Sequence, residues 1–175
     1  MRRFNEPRSE EPADARTVEA SAVRLLARRE HSTEELTRKL RSKGYPEELV
    51  EAVVAKLHGK KLVSNDRFAS SFVHHHAQRG QGPVRIRAEL KRQGIADELI
   101  HTQLDGTEVD WVARAVAVRR RKFGAGRPRN LAERAKQARF LQYRGFSSDQ
   151  IRAALQSDGE SDDFSMDEDA GPDLD

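Results

Sequence analysis

One pattern limits what this chain can fold into more than any other feature: a Leu, three residues, a Gly with a large apolar residue after it, and then an acid two positions before an apolar one. Leu40, Gly44-Tyr45 and Glu48-Leu49-Val50 recur as Leu90, Gly94-Ile95 and Glu98-Leu99-Ile100, and again as Leu141, Gly145-Phe146 and Asp149-Gln150-Ile151. Successive copies stand 50 and 51 residues apart. Self-similarity at such a period marks a repeat array, in which each unit buries a face against its neighbour. The Gly in each copy suits the left-handed residue that closes a helix, so each copy reads as helix, tight turn, helix.

The clearest single helix lies around the second copy. Gly82 serves as its N-cap, Pro83 occupies a first-turn position where a missing N–H costs nothing, and Gly94 ends it. Pro83, Ile86 and Leu90 fall at i, i+3 and i+7 on one face, while Arg85 with Arg92 and Arg87 with Lys91 flank that stripe. The apolar face packs inward and the cations stay wet.

Each unit is three helices. In the first, Val18, Ala22, Leu25 and Leu26 form one stripe. Ser32-Thr33-Glu34-Glu35 is a capping box for the next helix, with Leu36 and Leu40, and Pro46 opens a third that carries Leu49, Val50, Val53 and Leu57. A shift of 50 lays Phe68, Phe72 and Val73 over Val18, Ala22 and Val23, and Gly82, Ile86 and Leu90 over Ser32, Leu36 and Leu40. Asn65 or Asp66 is the expected cap of a helix from about Arg67. In the third unit Trp111, Ala115 and Val116 match at a shift of 43, and the missing residues reappear in the loop from Gly124 to Asn130. There Gln137 falls where Leu36 and Ile86 stand, so Leu131, Ala135 and Ala138 are expected to supply the stripe up to Leu141 on a helix that is rotated or less tightly held. The expected fold is all-α: three tandem three-helix repeats at 15–60, 61–106 and 107–156 in an elongated, curved array, with a disordered arm at 1–14 and an acidic disordered tail at 157–175.

Charge is distributed unevenly. The net charge is +3, but residues 157–175 hold nine acids and no Lys or Arg, which leaves +12 on the rest. Residues 107–156 hold twelve Lys or Arg against Glu108, Asp110, Glu133 and Asp149. Such a block attracts a polyanion or an acidic protein surface. A tail of that composition cannot fold alone.

Several functions are disfavoured. The chain has no Cys, hence no disulfide, thiolate metal site or cysteine nucleophile, and a cytoplasmic location is expected. No apolar run reaches the roughly 18 residues of a membrane span. His74-His75-His76 point about 100° apart on a helix and do not converge on one ion, so no metal is expected. Gly80-Gln81-Gly82-Pro83 and Gly124-Ala125-Gly126-Arg127 are too short for a phosphate-binding loop and lack its Lys and Ser/Thr. No carboxylate is embedded in apolar sequence as a catalytic acid would be. No cofactor and no catalysis are expected. Repeat matching places Phe68, Phe72 and Trp111 in the core and leaves Tyr45 and Tyr143 unassigned.

Arg79-Gly80-Gln81-Gly82-Pro83 leading into Arg85-Ile86, Glu89-Leu90 and Gly94-Ile95, together with Asp66-Arg67-Phe68-Ala69, resembles the RecX family of regulatory proteins, bacterial modulators of the RecA recombinase. The resemblance spans roughly Val18 to Leu155. It implies a helical protein that lies in the groove of the RecA filament on single-stranded DNA and opposes filament extension, ATP hydrolysis, strand exchange and coprotease activity. Two other readings are a direct nucleic-acid binder, since helix, turn and helix around Gly44 or Gly94 also resembles a helix-turn-helix, and a helical-repeat scaffold for another protein.

The candidate contacts with a filament or with DNA are Arg85, Arg87, Lys91 and Arg92 in the middle unit. In the third they are Arg119, Arg120, Arg121, Lys122, Arg127, Arg129, Arg134, Lys136 and Arg139. Arg119 and Arg121 lie on a polar run, so folding is expected not to need them.

Overall fold

The computed structural model describes residues 14–157. They form α1 (Ala15–Leu26), α2 (Thr33–Arg41), α3 (Glu47–Gly59), α4 (Asn65–Gln78), α5 (Pro83–Arg92), α6 (Asp97–Asp105), α7 (Trp111–Phe123), α8 (Leu131–Arg144) and α9 (Ser148–Gln156). No strand occurs among the described residues, and none of these helices is long and apolar enough to cross a membrane. The chain divides into two compact units, one ending at Asn65 and the other beginning at Asp66. The first holds one copy of the pattern and the second holds two. The expected arm, apart from Asp14, and the acidic tail beyond Ser157 lie outside the described residues.

In the first unit Val18, Ala22, Leu36, Leu40, Val50, Val53 and Leu57 close on one another, with Val63 from the connector sealing the base. These are the stripe positions of three amphipathic helices. Asp14 caps α1 by accepting from the Thr17 amide at 2.7 Å, and the Ser32 hydroxyl caps α2 by accepting from the Glu35 amide at 3.0 Å. Glu35 is buried, and its carboxylate is held by Arg29 and by Lys39 at 3.1 Å. Burial alone would raise the Glu35 pKa, but the hydrogen bonds from Arg29 and Lys39 outweigh it and the net shift is downward. His31 completes this cluster: Nδ1 donates to the Arg29 carbonyl at 2.9 Å and Nε2 accepts from Lys39 Nζ at 3.2 Å. Burial pushes its pKa down, which agrees with a neutral ring.

Two boundaries differ from expectation. Pro46 is not the first helical residue: its ψ of 138° keeps it extended, and α3 starts at Glu47. Asn65 does not cap a helix from Arg67 but lies inside α4, and its side-chain oxygen accepts from the Thr33 amide at 2.9 Å. The short side chain finds an orphan N–H at the start of α2 rather than at the start of its own helix.

In the second unit one core gathers Phe68, Ala69, Val73, Ala77, Ile86, Leu90, Ile95, Ile100 and Leu104, with Phe72 and Trp111 packed on its edge. A smaller core holds Ala115, Val118, Leu141, Phe146 and Ala154. Both α5 and α8 end on a left-handed glycine, Gly94 at φ 74° and Gly145 at φ 88°. The next amide then bonds back five residues, Ile95 to the Leu90 carbonyl and Phe146 to the Leu141 carbonyl, each at 3.1 Å. That turn folds Ile95 and Phe146 into the core.

The two repeats of this unit meet through backbone. The Gly82 amide donates to the Arg144 carbonyl at 2.8 Å and the Val84 amide to the Gly145 carbonyl at 3.0 Å. The N-terminus of α5 thus satisfies carbonyls left over at the C-terminus of α8, an arrangement that helix dipoles favour.

The third repeat corrects one expectation. Leu131 is 85% exposed and Ala135 is exposed too, whereas Gln137 is buried at 6%. Helix α8 is not rotated. It keeps the repeat register through Gln137 and Leu141, and the polar side chain is tolerated because it accepts from Arg119.

Candidate partner-binding surface

The candidate cations fall into three groups. On α5, Arg85 donates from Nε to Glu89 at 2.8 Å, and Arg92 lies 3.8 Å from the same carboxylate. Glu89 also faces His76 Nδ1 at 3.5 Å, so one half-buried carboxylate ties α4 to α5. The Glu89 hydrogen bond raises the Arg85 pKa against the opposing effect of burial. Lys91 pairs with Asp97 at 2.7 Å across the Gly94 turn, and Arg87 lies half-buried on the other flank. These cations are largely committed to local carboxylates.

His74 and His75 are exposed, whereas His76 stacks on Phe72 with ring centroids 3.8 Å apart and bonds to Gln81 at 2.9 Å. Burial pushes the His76 pKa down.

On α7 the basic run divides. Arg119 must leave the candidate set, because it is 0% exposed. A helix turns about 100° per residue, so four consecutive cations cannot all face water when Ala115 and Val118 fix the buried side. Its guanidinium donates to the Gly126 carbonyl at 2.8 Å, to the Ala125 carbonyl at 3.4 Å and to Gln137 Oε1 at 3.4 Å. Arg119 is therefore the peg that holds the 124–130 loop against α7 and α8. Burial, with Arg120 beside it, pushes its pKa down. Arg120 is half-buried.

The exposed group comprises Arg121 and Lys122 at the end of α7, Arg127 and Arg129 on the loop, and Arg134, Lys136 and Arg139 on α8. Glu133 is the one acid on this stretch, and its carboxylate accepts from the Arg129 amide at 2.8 Å. Lys136 and Arg139 share the outer face of α8 with Tyr143, three and seven residues on from Lys136. Tyr143 is 77% exposed, and the Arg85 guanidinium lies 5.9 Å from its ring centre. The backbone junction at Gly82 and Gly145 sits beside this pair. So α5 and α8, far apart in sequence, present cations around one exposed aromatic ring. Arg144 turns the other way, onto the Phe140 ring at 5.5 Å.

Tyr143, Glu89 and the two junction glycines were not singled out as functional by sequence. The available signal was the replacement of the cap Ser32 by Gly82 at the matched position, which trades a side-chain cap for close backbone approach.

Three family models match in succession: the first RecX three-helix domain over residues 20–57, the second over 64–103 and the third over 108–155. The chain belongs to the RecX family. Regulatory protein RecX of Halorhodospira halophila is 47% identical over 154 residues, covering 88% of this chain and 96% of the relative. Regulatory protein RecX of Pseudomonas entomophila is 46% identical over 138 residues, covering 79% of this chain and 89% of the relative. The crystal structure of RecX from Lactobacillus salivarius superposes with a TM-score of 0.69 at 23% identity, covering 81% of this chain and 94% of that one, which supports the fold. The RecX relatives carry the name of regulatory proteins rather than of enzymes.

Proposed function

We propose that this RecX-family chain is a cytoplasmic negative regulator of the RecA recombinase. It binds in the groove of the RecA–single-stranded DNA filament and inhibits extension, ATP hydrolysis, strand exchange and coprotease activity. The observation that carries this reading is the succession of three RecX domain matches along the chain, at 47% identity to a RecX regulatory protein. The exposed cations of α7, the 124–130 loop and α8 support it physically. A surface with seven cations and one acid, already engaged by backbone, is attracted to a polyanion or to an acidic protein groove.

The test is RecA-catalysed ATP hydrolysis on single-stranded DNA, with this protein added below the RecA concentration. The expected outcome is a falling rate together with shorter filaments. An unchanged rate and filament length would remove the proposal.

A further inference from the structure

Tyr143 has a surrounding that a solvated surface tyrosine does not require. It stands 77% exposed on the last turn of α8, directly before the residue whose carbonyl takes the Gly82 amide. Arg85 approaches the ring at 5.9 Å from α5, and that guanidinium is itself fixed by Glu89 at 2.8 Å. Lys136 and Arg139 lie on the same outer face of α8, seven and four residues before the ring. Seven residues of helix span about 10 Å, so a chain laid along this face meets two cations before the ring, and Arg85 stands over the ring itself.

An acidic protein surface would match the cations and leave the ring unexplained. A single nucleic-acid strand matches both, because its phosphates need cations at intervals and its bases need flat aromatic faces to stack on. We propose that Tyr143 is a stacking platform for a base of single-stranded nucleic acid, with Lys136 and Arg139 as the phosphate contacts along α8 and Arg85, tied to Glu89, holding the ring in place. This deepens the reading of the basic surface as the partner-binding one and assigns it direct contact with the strand.

The experiment is fluorescence anisotropy with a labelled oligothymidylate and with a labelled abasic strand of equal length and charge. Tyr143→Ala should weaken binding to the oligothymidylate by about tenfold, Tyr143→Trp should retain it, and neither should move the melting temperature. The parent should bind the abasic strand about as weakly as Tyr143→Ala binds either strand. Equal affinity of the parent for both strands, or an unchanged affinity of Tyr143→Ala, would overturn the platform. RecA-dependent ATP hydrolysis measured on the same variants separates the two readings. A parent that inhibits RecA but shows no preference for bases retains the regulatory proposal and loses this one.

Discussion

Gly82 and Gly145 meet backbone to backbone: a Cβ on Gly82 would stand 2.3 Å from the Gly145 carbonyl oxygen, and one on Gly145 would stand 2.3 Å from the Arg85 Cβ. The contact joins the second and third repeats through groups that cannot move aside, since both neighbours are main chain or fixed to it. Gly44 occupies the same repeat position in the first unit and has nearly the same φ, 84° against 88°, but its added Cβ would meet nothing within 4 Å.

That difference separates conformational strain from packing. Gly44→Ala should cost about 1 kcal/mol, the penalty of a Cβ in the left-handed region. Gly145→Ala adds overpacking to the same strain and should cost about 2–4 kcal/mol. Urea denaturation of each variant checks the pair, and equal losses would mean that the junction opens without penalty.

Arg119 and Arg121 differ by two residues and should differ in kind. Arg119→Glu buries a carboxylate against the Gly126 and Ala125 carbonyls and should cost about 3–5 kcal/mol. Arg121→Glu, on the exposed side, should leave the melting temperature within a degree or two of the parent and weaken regulation of RecA. Thermal denaturation by circular dichroism, paired with the ATP hydrolysis assay, reads both. An Arg119→Glu protein as stable as the parent would show that the loop holds without its peg.

The contrast marks how far sequence reaches in this chain. Repeat spacing located the three-helix units because buried positions such as Leu36, Leu40, Ile86, Leu90 and Leu141 recur with the helix period, and that period is local. Charge located the basic region for the same reason. What sequence could not assign was orientation within a polar run: Arg119, Arg120 and Arg121 are one composition but three directions on a helix. Gln137 failed likewise, because a polar residue at a core position is legible only once its partner Arg119 is placed beside it. Tyr143 and Arg85 lie 58 residues apart and meet only through the glycine junction.

Stability should fall on mild acidification. His31 and His76 both have pKa values held below the ordinary 6.5 by burial, so the unfolded chain binds protons that the folded chain refuses. Their contribution is complete above about pH 6.5 and is lost progressively as pH falls from there towards the folded values. Glu35, whose folded pKa lies below the ordinary 4.5, adds a second loss at lower pH. Melting temperatures between pH 8 and pH 5 should therefore decline. His31→Gln should flatten the part of that decline that comes from the first unit, and an unchanged slope in this variant would place the titration elsewhere.

Salt should weaken binding through the exposed cations and in proportion to their number. Each phosphate neutralised on a single strand contributes about 0.7 to the slope of log affinity against log salt. Lys136 and Arg139 are exposed on the outer face of α8 and have no carboxylate within ion-pair distance among the described residues. Lys136→Gln with Arg139→Gln should therefore lower the slope for single-stranded DNA by about 1.4, with the fold unchanged. Lys91→Gln should alter it little, because that ammonium is already paired with Asp97 at 2.7 Å. Anisotropy titrations of the parent and both variants between 50 and 200 mM salt check the prediction. If removing Lys91 lowered the slope as much as removing Lys136 and Arg139 together, the strand would run over the Gly94 turn rather than along the outer face of α8.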